Sequence, residues 1–168
     1  VIENAAVYAR GGQANYSAGI HIDGFLAVES GSVVALGGRA VNHHDSEDAA
    51  SAGIEADGVT INGGEVTASV GRSEHGSANG IYAYGNIHIN GGSVTAANDP
   101  YAVDGVTPLY SNGIYSETGD ITITGRNTVV NASAGCADEG VTATMAEAGD
   151  IVINGGNVRA DGAPTGSE

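Results

Sequence analysis

The sequence predicts an all-β fold: a single-stranded, right-handed parallel β-helix, or β-solenoid, of about five coils with about 30 residues and three short strands in each coil. Three observations predict it. The chain repeats itself about every 30 residues, and apolar and polar residues alternate within each repeat. Glycine, at 28 of 168 residues, recurs too often for helices, and β-branched residues dominate the apolar positions.

The repeat is clearest in three segments: DGVTINGGEVTA at 57–68, GNIHINGGSVTA at 85–96 and GDIVINGGNVRA at 149–160, with weaker copies at 25–35 and 119–131. A Gly-Ile or Gly-Val pair precedes each copy, so that coils start near residues 19, 53, 80, 113 and 140. We expect residues 1–168 to form one solenoid domain. The decayed copy at Ile2 and the unrepeated tail suggest either a piece of a longer solenoid or a solenoid that is lightly capped at its ends.

Apolar residues of successive coils are predicted to form three inward columns, because each strand stacks on its counterpart about 4.8 Å away. Each buried Val or Ile contributes roughly 1.5–3 kcal/mol, so these columns supply most of the expected stability. The predicted members are, in the first strand, Ile20, Ile54, Ile81, Ile114 and Val141; in the second, Val28, Ile61, Ile89, Ile123 and Ile153; and in the third, Val33, Val66, Val94, Val129 and Val158, with Ala35, Ala68 and Ala96 at narrower positions.

Three asparagines, Asn62, Asn90 and Asn154, follow the second strand in register. Stacked identical amides can hydrogen-bond to one another, which predicts a ladder along this turn. The alternative is that they are solvated turn residues, since asparagine tolerates the left-handed conformation that turns require.

The charge is strongly one-sided: 5 Lys and Arg, all of them Arg, against 20 Asp and Glu, for a net charge of −15. Such a chain repels phosphate backbones and anionic lipids, so binding to nucleic acids or membrane surfaces is disfavoured and attraction to divalent cations is favoured. No apolar run approaches the length of a membrane span, so we expect no membrane insertion. The single cysteine, Cys136, matches no metal-binding motif.

The segments between the third strand and the next Gly-Ile pair vary most in length, and they are predicted to emerge along one edge of the solenoid. Insertions on one face of a repeat protein often mark its binding face. These loops carry the candidate calcium ligands Asp45, Asp48, Asp99 and Asp104, since Ca²⁺ prefers carboxylate and carbonyl oxygens. Solvated loop charge is the alternative for these residues, and the adjacent His43 and His44 are interpreted as a solvated pair.

The outward positions of the first strand are unlike those of the other two. Its two outward columns are predicted to run His21, Glu55, Tyr82, Tyr115, Thr142 and Asp23, Asp57, Tyr84, Glu117, Thr144. A tyrosine ring can stack on the C–H face of a sugar while nearby carboxylates accept hydroxyl hydrogen bonds. We predict a platform of Tyr82, Tyr84 and Tyr115 with Glu55 and Glu117 as acceptors, and with His21 and the loop residues Tyr101 and Tyr110 beside it. The alternative is that Tyr is simply a good strand former.

Catalysis is the less favoured interpretation. Polysaccharide lyases need a basic residue to abstract a proton, and the five arginines lie away from the tyrosine-bearing positions. Hydrolases need two carboxylates roughly 5–9.5 Å apart, which Asp23, Glu55 and Asp57 could provide, but on an open face. We therefore expect no enzyme activity.

A resemblance supports a binding function. Gly-Ile-x-Ala-Asp-Gly at Gly53–Gly58, followed by Val-Thr-Ile-Asn-Gly-Gly-x-Val-Thr-Ala at Val59–Ala68, resembles a bacterial cell-surface β-helix family that binds carbohydrate. The resemblance covers residues 19–160 and implies a secreted or cell-surface protein that binds acidic plant polysaccharides such as polygalacturonate, together with calcium. This chain has Tyr84 and Thr144 where the family tends to carry Asp, which favours a neutral glycan.

Two functions therefore remain: a non-catalytic glycan-binding module, and a structural or adhesive stalk of a surface protein. A stalk needs no aromatic face, and its loops should be short and uniform. The segregated tyrosines and the uneven loops favour the binding module.

Overall fold

A computed structural model describes residues 1–41, 49–71, 73, 76–98 and 108–163. These residues form strands and turns without a helix, and so without a helix long and apolar enough to cross a membrane. The strands are β1 (Ala5–Arg10), β2 (Tyr16–Val28), β3 (Gly31–Leu36), β4 (Ala50–Ile61), β5 (Glu65–Ser69), β6 (Ser77–Ala83), β7 (Ile87–Ile89), β8 (Ser93–Ala97), β9 (Tyr110–Ser116), β10 (Ile121–Thr124), β11 (Val129–Ala134), β12 (Gly140–Ala146), β13 (Ile151–Asn154) and β14 (Asn157–Gly162).

The strands stack in parallel as a β-solenoid of about five turns, which confirms the predicted fold class. The first sheet contains the N-terminal parts of β2 and β4, then β6, β9 and β12. The second contains the C-terminal parts of β2 and β4, then β7, β10 and β13, and the third runs β1-β3-β5-β8-β11-β14. Coils three to five have the three predicted strands, whereas in coils one and two the first two strands form one long strand.

The core lies between the three sheets. In the second sheet Val28, Ile61, Ile89, Ile123 and Ile153 are successive Cα partners, as predicted. The first four are fully buried, whereas Ile153 in the last coil is 52% exposed. The predicted third-strand alanines Ala35, Ala68 and Ala96 are also fully buried and stack in register.

Two predicted members of the columns are wrong, because turn lengths differ between coils. Thr144, not Val141, is the Cα partner of Ile114, and Val141 pairs with Ser111 instead. The Thr144 hydroxyl is consequently buried and has no hydrogen-bond partner among the described residues. In the third sheet Val130, not Val129, joins the inward column. The turn before it is longer: Val130 lies seven positions after Ile123, whereas Val66 lies five positions after Ile61.

The glycine of each Gly-Ile pair lies where the first sheet meets the third. A Cβ built on Gly80 would lie 2.5 Å from the Gly113 carbonyl oxygen and 3.0 Å from the Ala96 carbonyl carbon. Gly19, Gly53 and Gly113 are equally crowded by backbone atoms of the neighbouring coil and of the third sheet. Glycine is therefore required here by close backbone approach.

The predicted asparagine ladder forms in part. Asn90 Nδ2 donates to Asn62 Oδ1 at 2.8 Å, and Asn62 Nδ2 donates in turn to the Glu29 carboxylate at 3.0 Å. In the next coil Thr124 occupies the position, and its hydroxyl donates to Asn90 Oδ1 at 3.0 Å. Asn154 is the Cα partner of Thr124, so it lies in register, but the coil of Thr124 separates it from the amide pair.

Candidate functional site

The outer surface of the first sheet brings together the predicted tyrosines and glutamates. His21, Glu55, Tyr82 and Tyr115 are successive Cα partners in β2, β4, β6 and β9, which confirms the predicted column through four coils. In the fifth coil the partner of Tyr115 is Met145, so the prediction of Thr142 is wrong. The cause is the three-residue shift that also displaces Val141.

A second outward column lies two residues further along each strand. The Glu117 amide donates to the Ala83 carbonyl, and the Glu147 amide to the Ser116 carbonyl, which places Tyr84, Glu117 and Glu147 in successive coils. The prediction of Thr144 here is wrong, and Glu147 is the residue that sequence reasoning missed. A signal was present: the pattern Glu-x-Gly-Asp-Ile occurs at 117–121 and again at 147–151, which aligns the two glutamates.

Each tyrosine hydroxyl in the first column is bonded to a glutamate of the following coil. The Tyr82 hydroxyl donates to Glu117 Oε2, and the Tyr115 hydroxyl donates to Glu147 Oε2. The two rings lie 5.5 Å apart between centroids, tilted by 37°. We call the surface formed by Glu55, Tyr82, Tyr115, Glu117 and Glu147 the tyrosine face.

The hydroxyls of the tyrosine face are held as donors. Burial raises the pKa of both tyrosines well above the usual range, and the hydrogen bonds to Glu117 and Glu147 raise it further. Both hydroxyls therefore stay protonated at physiological pH, and each donates its proton to a carboxylate. The hydroxyls are therefore engaged within the protein itself.

Two grooves flank the Tyr115 ring. The first has a volume of about 290 Å³ and runs from Tyr16 in coil one to Glu117 in coil four, past Glu55 and Tyr82. The second, of about 490 Å³, lies between Tyr110 in coil four and Glu147 in coil five. Ser77 and Tyr115 line both grooves, so the two are adjacent and follow the direction in which the coils stack.

Two buried asparagines line the grooves. Asn79 lines the first groove and Asn112 the second, and Asn112 Nδ2 donates to Asn79 Oδ1 at 3.0 Å. The pair is in register in β6 and β9. It forms a second amide ladder, which fixes the backbone of the two strands that carry Tyr82 and Tyr115.

Glu55 is the most perturbed carboxyl group of the site. Its side chain is only 17% exposed, and this burial raises the pKa of the carboxyl to about 7. His21 Nδ1 lies 3.4 Å from Glu55 Oε1, and His21 Nε2 lies 3.2 Å from Asp23 Oδ1. The Tyr16 ring meets His21 edge-on at 6.0 Å between centroids. His21 therefore bridges two carboxylates at one end of the site.

Three predicted tyrosines lie at the margin or outside. Tyr84 is 55% exposed and lies outside the lining of both grooves, although it follows Tyr82 on the same sheet. Tyr110 was expected in a loop, but it is the first residue of β9, where its hydroxyl donates to Glu139 Oε2 at 2.6 Å. Strand pairing with Ser77 and Gly140 extends β9 to include it. Tyr101 lies outside the described residues.

The predicted calcium ligands Asp45, Asp48, Asp99 and Asp104 also lie outside the described residues, as do His43 and His44. Among the residues that the structure describes, no three or more His, Cys, Asp or Glu side chains converge as a metal ion requires. The carboxylates of the tyrosine face are instead engaged by tyrosine hydroxyls or by His21.

Comparison of the chain with protein-family models, curated proteins and solved structures gives no match. The resemblance to a cell-surface β-helix family thus rests on the two motifs at Gly53–Ala68.

Proposed function

We propose that the tyrosine face binds an extended polysaccharide without changing it chemically. The motif resemblance supports a bacterial secreted or cell-surface setting for such a module. The observation that carries the proposal is a pair of adjacent grooves, the first lined by Tyr82, Tyr115, Glu55 and Glu117 and the second by Tyr115 and Glu147.

The chemistry of these side chains suits sugars. An aromatic ring offers an apolar face to the C–H groups of a pyranose, and carboxylate oxygens accept hydrogen bonds from its hydroxyls. Each glutamate accepts one tyrosine hydroxyl, so further acceptor positions remain on Glu117 and Glu147. Rings and acceptors therefore lie side by side along the two grooves.

The length of the site favours a polymer over a single sugar. The two grooves together extend from coil one to coil five, and successive coils lie about 4.8 Å apart. A linear chain lying along the stacking direction would contact Tyr82 and Tyr115 in turn. A monosaccharide would occupy only one groove.

A glycan-array comparison of three proteins tests the proposal. We expect wild type to bind one class of oligosaccharide and the Tyr82→Ala/Tyr115→Ala double variant to lose at least tenfold in affinity. Tyr8→Ala is the matched control, because Tyr8 is an exposed tyrosine on β1 in the third sheet. Incubation with the bound oligosaccharide should release no new reducing ends.

Two results of the glycan array would contradict the proposal. An empty array for wild type, or binding that survives in a folded double variant, would remove the proposal. Thermal melting of each variant establishes that it is folded before the array is scored.

A structural stalk is the second candidate, and the tyrosine–glutamate pairs favour it. Bonds from Tyr82 to Glu117 and from Tyr115 to Glu147 each join neighbouring coils, as an interlocking stalk would require. The array separates the two functions, because a stalk binds no glycan while its melting temperature still falls when the tyrosines are removed.

A further inference from the structure

The charged side chains that line the two grooves, among the residues that the structure describes, all carry the same sign. Glu55 and Glu117 line the first groove and Glu147 the second. Asp57, on the same strand as Glu55, adds a further carboxylate to the same outer surface. A ligand in these grooves therefore meets a negative potential along its whole length.

The tyrosine hydroxyls do not neutralise this charge. The groups that donate to Glu117 and Glu147 are neutral, so each carboxylate keeps its formal charge and most of its lone pairs. A carboxylate taken out of water is stabilised best by a cation that also donates hydrogen bonds.

A cation would stabilise the carboxylate of Glu55 more than those of Glu117 and Glu147. It is the least hydrated of these carboxylates, and burial alone disfavours its ionised form. The histidine beside it, His21, is 49% exposed and also contacts Asp23. A cation entering the groove would stabilise the ionised carboxylate.

The tyrosine rings favour a particular kind of cation. An ammonium group over the face of a tyrosine gains roughly 0.5–1 kcal/mol at an exposed site from the ring quadrupole. Tyr82 and Tyr115, with centroids 5.5 Å apart, present two such rings next to carboxylates. An organic ammonium fits both partners, whereas a hydrated metal ion fits only the carboxylates.

We propose that the polysaccharide bound by the tyrosine face carries ammonium groups, as a linear polymer of amino sugars with free amines does. This inference rests on the proposed function and names its ligand class. The sugar rings stack on Tyr82 and Tyr115, and the ammonium groups pair with Glu117 and Glu147, and with Glu55 when its carboxyl is ionised. A polymer of uronic acids would place its carboxylates against those of the protein and is disfavoured.

Calorimetric titration with three hexasaccharides at pH 6.5 tests this ligand class. The probes are β-linked glucosamine, which carries ammonium groups, its N-acetylated counterpart, which is neutral, and α-linked galacturonate, which is anionic and is tested with and without calcium. We expect the glucosamine hexamer to bind at least tenfold more tightly than the other two. Its affinity should fall as sodium chloride is raised from 50 to 500 mM.

Isosteric variants separate specific pairing from general attraction to a protein of net charge −15. Glu117→Gln and Glu147→Gln each remove a charge but keep the shape and an acceptor oxygen, and we expect each to lower glucosamine binding about tenfold and N-acetylglucosamine binding by much less. Glu147 lies at the exposed last coil, so its variant is the safer for folding. Glu65→Gln, at the start of β5 in the third sheet, is the control and should change nothing.

The possible failures are distinguishable. Equal or tighter binding of the neutral or the anionic hexamer overturns the ammonium proposal and leaves glycan binding intact. Glucosamine binding that survives both Glu117→Gln and Tyr115→Ala is unspecific attraction, and it overturns the proposal as well. If no hexamer binds and the array is also empty, the proposed function itself fails.

Discussion

At the scale of the residue, Glu55 shows how partial burial in the groove changes the ionisation of a carboxyl group. The side chain is charged in water, but β4 and its neighbours hold it in a partly dehydrated groove, which raises the pKa of its carboxyl to about 7. The groups beside it are His21 from β2, which also contacts Asp23, and Tyr82 from β6, with Glu117, the residue after β9, in the same groove. His21, which is half exposed, lies between the Glu55 carboxyl and the carboxylate of Asp23, and Glu117 adds another carboxylate to the groove.

This shift predicts a pH-dependent stability. Because the carboxyl pKa is about 7 in the folded state against 4.5 as the reference value, the folded state binds this proton more tightly, and ionised Glu55 destabilises the fold above pH 7. Glu55→Gln should therefore raise Tm at pH 8 by about 2–4 °C, the shift that about 1 kcal/mol produces at this chain length. The gain should shrink as the pH falls from 7 towards 4.5.

Thermal melts of wild type, Glu55→Gln and Glu65→Gln across this pH range check the prediction. Glu65 is exposed at the start of β5, so its variant serves as the matched control. A lower Tm for Glu55→Gln at pH 8, or a gain that is equal at pH 5 and pH 8, would contradict this assignment of Glu55.

At the scale of the strand, stability depends on position within the stack as well as on residue type. Ile89 and Ile153 belong to one inward column of the second sheet, but Ile89 is covered by coils on both sides and is fully buried. Ile153 belongs to the last coil and remains 52% exposed. The same side chain therefore removes very different areas from water.

Alanine substitution of Ile89 and of Ile153 should therefore lower the free energy of unfolding by different amounts. We expect Ile89→Ala to lower the free energy of unfolding by about 2–5 kcal/mol, through lost burial and a cavity. Ile153→Ala should cost about 1 kcal/mol, since half of its side chain is already in water. Urea unfolding of the two variants gives the comparison, and equal losses would show that the column is not stacked in this order.

How well the register of each strand could be predicted from the sequence depends on the turns beside it. The second-sheet column was predictable throughout, because Asn-Gly-Gly and its variants follow each strand at a constant distance. Val141 and Val129 were placed wrongly because both lie next to turns whose length changes between coils. Val129 and Val130 are both apolar, and Val141 is followed at every second position by Ala143 and Met145, so the apolar pattern does not single out the inward face. Register there is decided by pairing with the neighbouring coil.

The candidate site was predictable to a similar extent. Its tyrosines and Glu55 follow from the periodic outward positions, and their register is confirmed. Glu147 was missed with the register of coil five. The grooves could not be predicted either, since they depend on how strand starts such as Tyr16 and Tyr110 extend beyond the repeat.

At the scale of the whole molecule, the solenoid turns a repeat in sequence into a continuous surface. Residues about 30 positions apart become neighbours, so the first sheet carries aromatic rings in two successive coils with carboxylates on either side of them. The third sheet has six strands, but its outward positions are mainly small or polar, for example Thr67 and Thr95, with a single exposed tyrosine, Tyr8, among the described residues. We therefore expect a ligand that recognises both rings and carboxylates to bind the first sheet.

An NMR titration of isotopically labelled wild-type protein with the strongest-binding oligosaccharide of the array tests this claim most directly. We predict shifts confined to backbone amides of β6 and β9 and to the strand segments that carry Glu55 and Glu147, while β5 and β8 of the third sheet stay unchanged. Shifts concentrated on the third sheet, or spread evenly over all three, would contradict the assignment of the tyrosine face as the binding surface.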